Sequence, residues 1–119
     1  MAGPRTPQPP VHLTGARMLD GSGSRLVVMT YSEFGRRAQE NASGGTDHGA
    51  GSVAFLAGER VVGGLHGQLP RLDALIEGDV PSSTDFRSLY SAILRDWLGV
   101  APAPVLGQAP VLGVLRPAA

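Results

Sequence analysis

The sequence predicts an α/β fold in which short buried strands are covered by a C-terminal amphipathic helix. The first observation is an uninterrupted apolar run, LVVMTY, which covers Leu26–Tyr31 between stretches rich in glycine, serine and polar residues. The second is an apolar stripe at helical spacing within Asp85–Leu98. A strand that is apolar throughout is typical of a sheet covered on both faces, and a helix with one apolar stripe packs on such a sheet.

The two ends of the chain differ from the region between them. Residues 1–18 begin with a proline-rich stretch that has little to pack, and we expect this tail to be disordered. Prolines also interrupt residues 101–119, which predicts an extended Pro/Gly-rich segment and excludes a long helix there. Residues 19–100 remain as part of an α/β domain. A core drawn from roughly 75 to 80 residues is marginal for independent folding, which indicates a portion of a larger domain.

Two strands and a long connection follow the tail. Leu26–Tyr31 is the first strand, predicted to be buried on both faces, and Val53–Leu56 is a second short strand. The intervening segment, Ser32–Ser52, is predicted to be a loop, and loops of that length within compact regions are usually functional. The glycine-rich stretch VVGGLHGQLP after the second strand predicts a loop dense in turns.

The C-terminal helix is the best-defined element of the sequence. Ser83 or Thr84 is the expected N-cap, Asp85 complements the positive end of the helix dipole, and Gly99 is suited to the left-handed conformation that ends a helix. Such a broad stripe requires a broad sheet, so we expect sheet strands beyond those in this chain. The stripe comprises Phe86, Leu89, Tyr90, Ile93, Leu94, Trp97 and Leu98.

Composition excludes several classes of function. The 119 residues include ten basic residues, all arginine, which balance ten acids, and no segment combines basic with aromatic residues as nucleic-acid-binding proteins do. Because cysteine is absent, disulfides and thiolate metal sites are excluded. No apolar run approaches the roughly 20 residues of a membrane-spanning helix, and the N-terminus lacks the profile of a signal peptide. We therefore expect neither a nucleic-acid partner nor a membrane span, and the localisation stays open.

A polar cluster follows the first strand, where α/β sheets place their ligand sites. Carboxylate and imidazole groups bind zinc, manganese or iron, whereas magnesium and calcium favour the oxygens. The glycines around the cluster, Gly44, Gly45 and Gly49, would let backbone approach an ion closely. The alternative is a hydrogen-bonded loop that binds nothing. The cluster comprises Ser32, Glu33, Arg36, Asn41, Thr46, Asp47 and His48.

Two other interpretations of these residues were weighed. Ser32, His48 and Asp47 are the residue types of a hydrolytic triad, but adjacent residues of an extended segment point to opposite faces, so Asp47 is poorly placed to orient His48. His66, in the glycine-rich loop, is either a further ligand or an exposed loop residue. The metal hypothesis is favoured over the triad.

The order of motifs resembles a known family. Five segments occur in the same order as near the end of proteins of the domain-of-unknown-function 1501 family, which are usually exported bacterial proteins. These segments are VVMTYSEFGRR, Asn41, GGTDHG, VVGGLHG and TDFRSLYSAILRDWLGV. The resemblance runs from about Leu19 to Leu115 and covers something like the C-terminal quarter or third of a family member. Relatives of that family are similar to the alkaline phosphatase and sulfatase superfamily. The resemblance therefore implies part of an alkaline-phosphatase-like sheet, and hydrolysis of phosphate or sulfate esters at a two-metal centre.

The resemblance also implies roles for individual residues. SEFG and GTDH occupy the positions of the superfamily's two metal-binding motifs, so His48 and Glu33 are implied ligands of a divalent ion such as zinc, manganese, magnesium or calcium. Asp47 is implied as a further ligand or as a residue that orients one. Arg36 would contact an anionic ester substrate, or else pair with a neighbouring glutamate. Phe34 departs from the pattern, because metal-binding relatives have histidine there.

The superfamily's nucleophile and remaining metal carboxylates belong to earlier strands, which this sequence does not contain. We therefore expect the chain to be inactive alone and to need the N-terminal part of the domain or another subunit. Two functions stay open: a metal-dependent phosphate or sulfate ester hydrolase, and a non-catalytic exported scaffold or binding protein whose metal site has decayed. A third alternative is a fragment with no function, which would expose its apolar faces.

Overall fold

The computed structural model of the protein describes residues 25–118, so the tail expected at residues 1–18 lies outside the described residues. Those residues form a small mixed fold with two antiparallel sheets of two strands each. The helical part is short and C-terminal. The elements in chain order are β1 (Val27–Met29), β2 (Gly35–Glu40), β3 (Thr46–Gly49), β4 (Leu56–Gly58), α1 (Phe86–Ala92), a π-helical segment (Ile93–Trp97) that continues α1, and α2 (Ala103–Leu106).

The first sheet joins the two strands that the apolar runs predict, although both are shorter or shifted. β1 pairs antiparallel with β4, so that Val27 lies opposite Gly58 and Met29 opposite Leu56. The expectation that the first strand is buried on both faces is wrong, since Val28 is 52% exposed and Tyr31 is 79% exposed. Side chains alternate between the faces of a strand, and this sheet is covered chiefly on the face of Val27 and Leu56, which pack against the core.

The second sheet is a hairpin within the segment predicted to be a loop, Ser32–Ser52. β2 and β3 pair antiparallel, with Gly35 opposite Gly49 and Arg36 opposite His48, and the register shifts between Arg36 and Glu40. β2 reads GRRAQE and shows no alternation of apolar and polar residues. Its strand conformation comes from backbone pairing with β3, which the side-chain pattern does not reveal.

The helix lies where its periodicity predicts. Asp85, rather than Ser83 or Thr84, is the N-cap, and its carboxylate accepts a hydrogen bond from the backbone N–H of Arg87. At the other end Gly99 has φ 66°, and the N–H of Val100 donates to the carbonyl of Leu94 over 2.8 Å. This left-handed glycine ends the helix as expected.

The core is small and draws on both the helix and the C-terminal segment. Its buried apolar residues are Ala92, Val114 and Leu115. The helix turns small residues inward, since Ser91 and Ala92 are both 0% exposed, while Phe86 of the apolar stripe is 64% exposed. The expected extended segment 101–119 thus contains the short helix α2 and supplies two of the three core residues. Around them pack Val27, Leu56, Val61, Leu89, Ile93, Trp97, Val111 and Leu112.

In the part of the chain that the structure describes, no helix is long and apolar enough to cross a membrane.

Candidate functional site

One face of the β2–β3 hairpin brings together two residues of the polar cluster, Arg36 and His48. Arg36 lies directly across from His48, and Phe34 precedes Arg36 by two positions. The rings of Phe34 and His48 are stacked, with centroids 3.7 Å apart and planes inclined by 13°. The guanidinium carbon of Arg36 lies 5.4 Å from the centroid of Phe34. We call this face, formed by Phe34, Arg36 and His48, the histidine face.

Arg36 is held on the hairpin by a hydrogen bond across the strands. Its Nη1 donates to the backbone carbonyl of Thr46 over 2.7 Å. A guanidinium carries five N–H donors in a planar fork, so this one donation leaves capacity to bind an anion. The side chain is exposed, and an anion could reach it from solvent.

Asp47 belongs to a separate hydrogen-bond network at the turn of the hairpin. Its Oδ1 accepts from Nδ2 of Asn41 over 3.1 Å. Oδ1 of Asn41 in turn accepts from the backbone N–H groups of Ser43 and Gly45, over 3.0 and 3.1 Å. Asn41 thus shapes the turn. Because Asp47 and His48 are adjacent in β3, their side chains leave the strand on opposite faces and do not converge on one point.

The structure places Glu33 and Ser32 in the connection between β1 and β2. Both are exposed. The residue that contacts the ring of His48 is Phe34, not its neighbour Glu33. The hydroxyl of Ser32 donates to the carbonyl of Phe34 over 2.8 Å, a local turn contact rather than a bond to an imidazole.

A metal ion at the histidine face would need ligands from elsewhere. Within residues 25–118, no group of three or more histidine, aspartate, glutamate or cysteine side chains is arranged to hold an ion. The histidine face itself offers one imidazole. The described residues therefore do not by themselves form a complete set of metal ligands.

Glycines of the two motifs are required by backbone packing. A Cβ on Gly35 would lie 1.9 Å from the carbonyl oxygen of Gly51, the atom that accepts the backbone N–H of Arg36 over 2.9 Å. A Cβ on Gly49 would lie 2.7 Å from backbone atoms of Arg36 and Arg37. These glycines permit close approach of one strand to its neighbours, whereas for Gly49 the sequence suggested close approach to an ion.

The opposite face of the hairpin carries contacts that sequence reasoning missed. Oδ1 of Asp79 accepts from the N–H of Ala50 over 3.2 Å, and Nη2 of Arg37 donates to the carbonyl of Glu77 over 2.6 Å. The only local signal is the tripeptide EGD at Glu77–Asp79, a turn-like sequence that says nothing of what it contacts.

His66 lies in the irregular loop after β4. Its Nε2 is 2.8 Å from the carbonyl oxygen of Val62, four residues earlier, and the side chain is exposed. This local contact is the one the structure gives His66, which agrees with the interpretation as an exposed loop residue.

Comparison with known proteins gives one result. A family model described as "Protein of unknown function (DUF1501)" matches residues 17–98, a span that includes both hairpin motifs and the whole of α1 with its π-helical continuation. Neither the curated proteins nor the solved structures include a match to this chain.

Proposed function

Since this chain belongs to the DUF1501 family, we propose that it carries one part of the active site of a metal-dependent phosphate or sulfate ester hydrolase. The observation that carries the proposal is the register of the hairpin. Arg36 of the SEFGR motif lies opposite His48 of the GTDHG motif, so the two motifs that resemble metal-binding motifs form a single surface. The guanidinium is suited to hold the oxygens of an anion, and the imidazole beside it is suited to bind a cation that contacts the same anion.

In this proposal each residue of the chain has a defined task. His48 binds the divalent ion through a ring nitrogen, and Arg36 holds the oxygens of the phosphate or sulfate group through its fork. Glu33, exposed in the connection before β2, is the carboxylate ligand from this chain, while Asp47 secures the turn through Asn41. When bound, a divalent ion polarises the ester and stabilises the charge that develops on the transferred group.

The remaining groups come from outside the described residues. The nucleophile and further metal ligands belong, in this proposal, to the N-terminal part of an alkaline-phosphatase-like domain or to another subunit.

Hydrolysis of p-nitrophenyl phosphate and p-nitrophenyl sulfate tests the proposal. The protein should be assayed together with its N-terminal part or partner subunit, with zinc, manganese, magnesium or calcium added and after removal of metal by EDTA. We expect EDTA to abolish turnover and His48→Ala to lower it by about 100-fold or more, since a metal ligand matters more than the outer-shell groups whose loss costs roughly 10- to 100-fold.

His66→Ala is the matched control, because it removes the same side chain from an exposed loop outside the hairpin. Turnover that survives both EDTA and His48→Ala would contradict the proposal.

A second function is favoured by one observation. Phe34, at the position where metal-binding relatives have histidine, stacks on His48 and cannot bind an ion. This supports a non-catalytic exported scaffold or binding protein in which the metal site has decayed. Calorimetry with the N-terminal part or partner subunit present separates the two functions. A scaffold of this kind binds none of the four ions, whereas the hydrolase binds at least one, and binding is lost in His48→Ala.

A further inference from the structure

A tight turn, Ile76–Asp79, docks on the hairpin face opposite the histidine face. Ile76 and Asp79 exchange two backbone hydrogen bonds of 2.9 Å each. The two central residues, Glu77 and Gly78, have φ of 51° and 84°. Positive φ at both central positions is typical of a type I′ turn, which connects Ile76 and Asp79 tightly.

The turn is joined to the hairpin by reciprocal contacts. The carboxylate of Asp79 accepts the N–H of Ala50, directly after β3, while Arg37 of β2 donates to the carbonyl of Glu77. The surfaces meet closely here, since a Cβ on Gly49 would lie 2.7 Å from Oδ1 of Asp79. One turn thus holds both strands of the hairpin.

We propose that Asp79 is a positioning residue for the candidate site, acting on His48 through the backbone of β3. The expected effect of Asp79 on metal binding rests on the proposed function. Its effect on the orientation of His48 rests only on the contacts described above. Nothing in the sequence motifs assigns a role to Asp79, which lies outside both.

The physical reason is the weakness of an isolated hairpin. Two antiparallel strands alone are marginally stable in water, and a shift of one residue in register moves every side chain to the other face. The register of β2 and β3 is already irregular between Arg36 and Glu40. Asp79 accepts the N–H of Ala50, two residues after His48 and directly after β3, so it anchors the end of the strand that holds His48 against Phe34.

The test is the NMR signature of the imidazole. We expect the stacked ring of Phe34 to shift the ring protons of His48 upfield, and Asp79→Ala to reduce this ring-current shift. Asp79→Asn keeps an oxygen that accepts the N–H of Ala50, so it should restore the wild-type shift. Arg37→Ala removes the second contact and provides an independent variant should Asp79→Ala fail to fold.

Arg60→Ala is the control for a merely destabilising change, because Arg60 contacts the helix and the C-terminal segment and not the hairpin. It should leave the His48 signals unchanged in the folded protein. An unchanged ring-current shift in folded Asp79→Ala, or in Arg37→Ala should the former not fold, would overturn the proposal.

Zinc titration of the same variants, carried out together with the N-terminal part of the domain or the partner subunit, separates this inference from the proposed function. Wild type and Asp79→Asn should bind alike, and Asp79→Ala about 10-fold more weakly, as for other residues that orient a ligand. Should no variant bind zinc, manganese, magnesium or calcium while the ring-current shift still depends on Asp79, the positioning role is supported and the hydrolase function is contradicted.

Discussion

The imidazole of His48 lies face to face with the phenyl ring of Phe34, with the ring centroids 3.7 Å apart. Ring stacking of this kind contributes about 0.5–1.5 kcal/mol beyond the burial of area. It covers the π face of the imidazole, whereas the nitrogen lone pair that binds a metal lies in the ring plane. Phe34 therefore orients the imidazole of His48 without covering its ring nitrogens.

Replacing Phe34 by histidine is expected to strengthen metal binding. Phe34→His places a second imidazole on the same face as His48, and two ligands on one hairpin act with a high effective concentration. We expect the affinity for zinc, measured by calorimetry, to rise by about 10-fold or more. Phe34→Leu is the matched control, since it removes the ring without adding a ligand. Equal zinc affinity in the histidine and leucine variants would contradict the placement of position 34 beside His48.

Gly35 should not tolerate a methyl group. Gly35→Ala would bring a Cβ to 1.9 Å from the carbonyl oxygen of Gly51, so the hairpin must shift and the bond from the N–H of Arg36 is strained. Overpacking of this kind costs about 1–3 kcal/mol. Urea denaturation checks the prediction, with Gly63→Ala as control because nothing lies within 4 Å of a Cβ there. Similar unfolding free energies for the two variants would show that Gly35 does not lie close to the carbonyl oxygen of Gly51.

Arg60 is expected to be the most important arginine for stability. Its guanidinium donates to the carbonyls of Asp96 and Arg116 over distances of 2.7 to 3.0 Å, and it lies 4.9 Å from the ring of Trp97. We expect Arg60→Ala to lower the free energy of unfolding by about 2 kcal/mol, because charged hydrogen bonds and a cation–π contact are lost together. Denaturant titration measures this loss.

Arg71→Ala serves as its control. The pair of Arg71 with Asp73 is highly exposed, with side chains 72% and 71% accessible, and surface pairs of this kind contribute little. If Arg71→Ala lowered the free energy of unfolding as much as Arg60→Ala does, the larger contribution of Arg60 to stability would be refuted.

The start of the helix should be sensitive to acid. The hydrogen bond from the guanidinium of Arg87, together with the backbone N–H of the same residue, lowers the pKa of Asp85 below its ordinary value. A carboxyl group whose pKa is lower in the folded than in the unfolded protein stabilises the fold at pH values above its unfolded pKa. This stabilisation is lost as the pH falls through the folded pKa. Circular dichroism at decreasing pH should therefore show loss of helical signal at the acid end, and Asp85→Asn should flatten that dependence.

Asp73 offers a matched control for this titration. Its pKa is also lowered, chiefly by the hydrogen bond from Arg71, but it lies in the loop before the helix. Asp73→Asn should leave the acid dependence of the helical signal as in the wild type. If Asp85→Asn and Asp73→Asn behaved alike, the capping role of Asp85 would be untenable.

The hairpin shows why part of the candidate site was beyond sequence reasoning. The sequence identified Arg36, Asp47 and His48 as polar residues worth attention, yet it placed them in a loop. GRRAQE has no strand pattern, and only pairing with β3 makes it a strand. The contact of Asp79 with Ala50, 29 positions earlier, has no local signature at all.

A repeated tetrapeptide makes the same point within the C-terminal segment. PVLG occurs at residues 104–107 and again at 110–113. In the first copy, proline, valine and leucine belong to α2, and Val105 is 66% exposed. In the second copy the chain is not helical, and Val111 and Leu112 pack against the core. Identical residues adopt two conformations because their surroundings differ.

The sequence by itself determined the features that depend on neighbours along the chain. These are the helix from Phe86 to Trp97 with its glycine terminator, the apolar run that forms β1, and the motifs by which the chain belongs to its family. The tertiary structure alone decided that Arg36 lies opposite His48 and that Phe34 stacks on His48. It also decided that Asp79 binds the backbone of Ala50 at the end of β3. Helical periodicity and caps are local interactions, whereas strand register and packing join residues distant in sequence, and no short pattern encodes them.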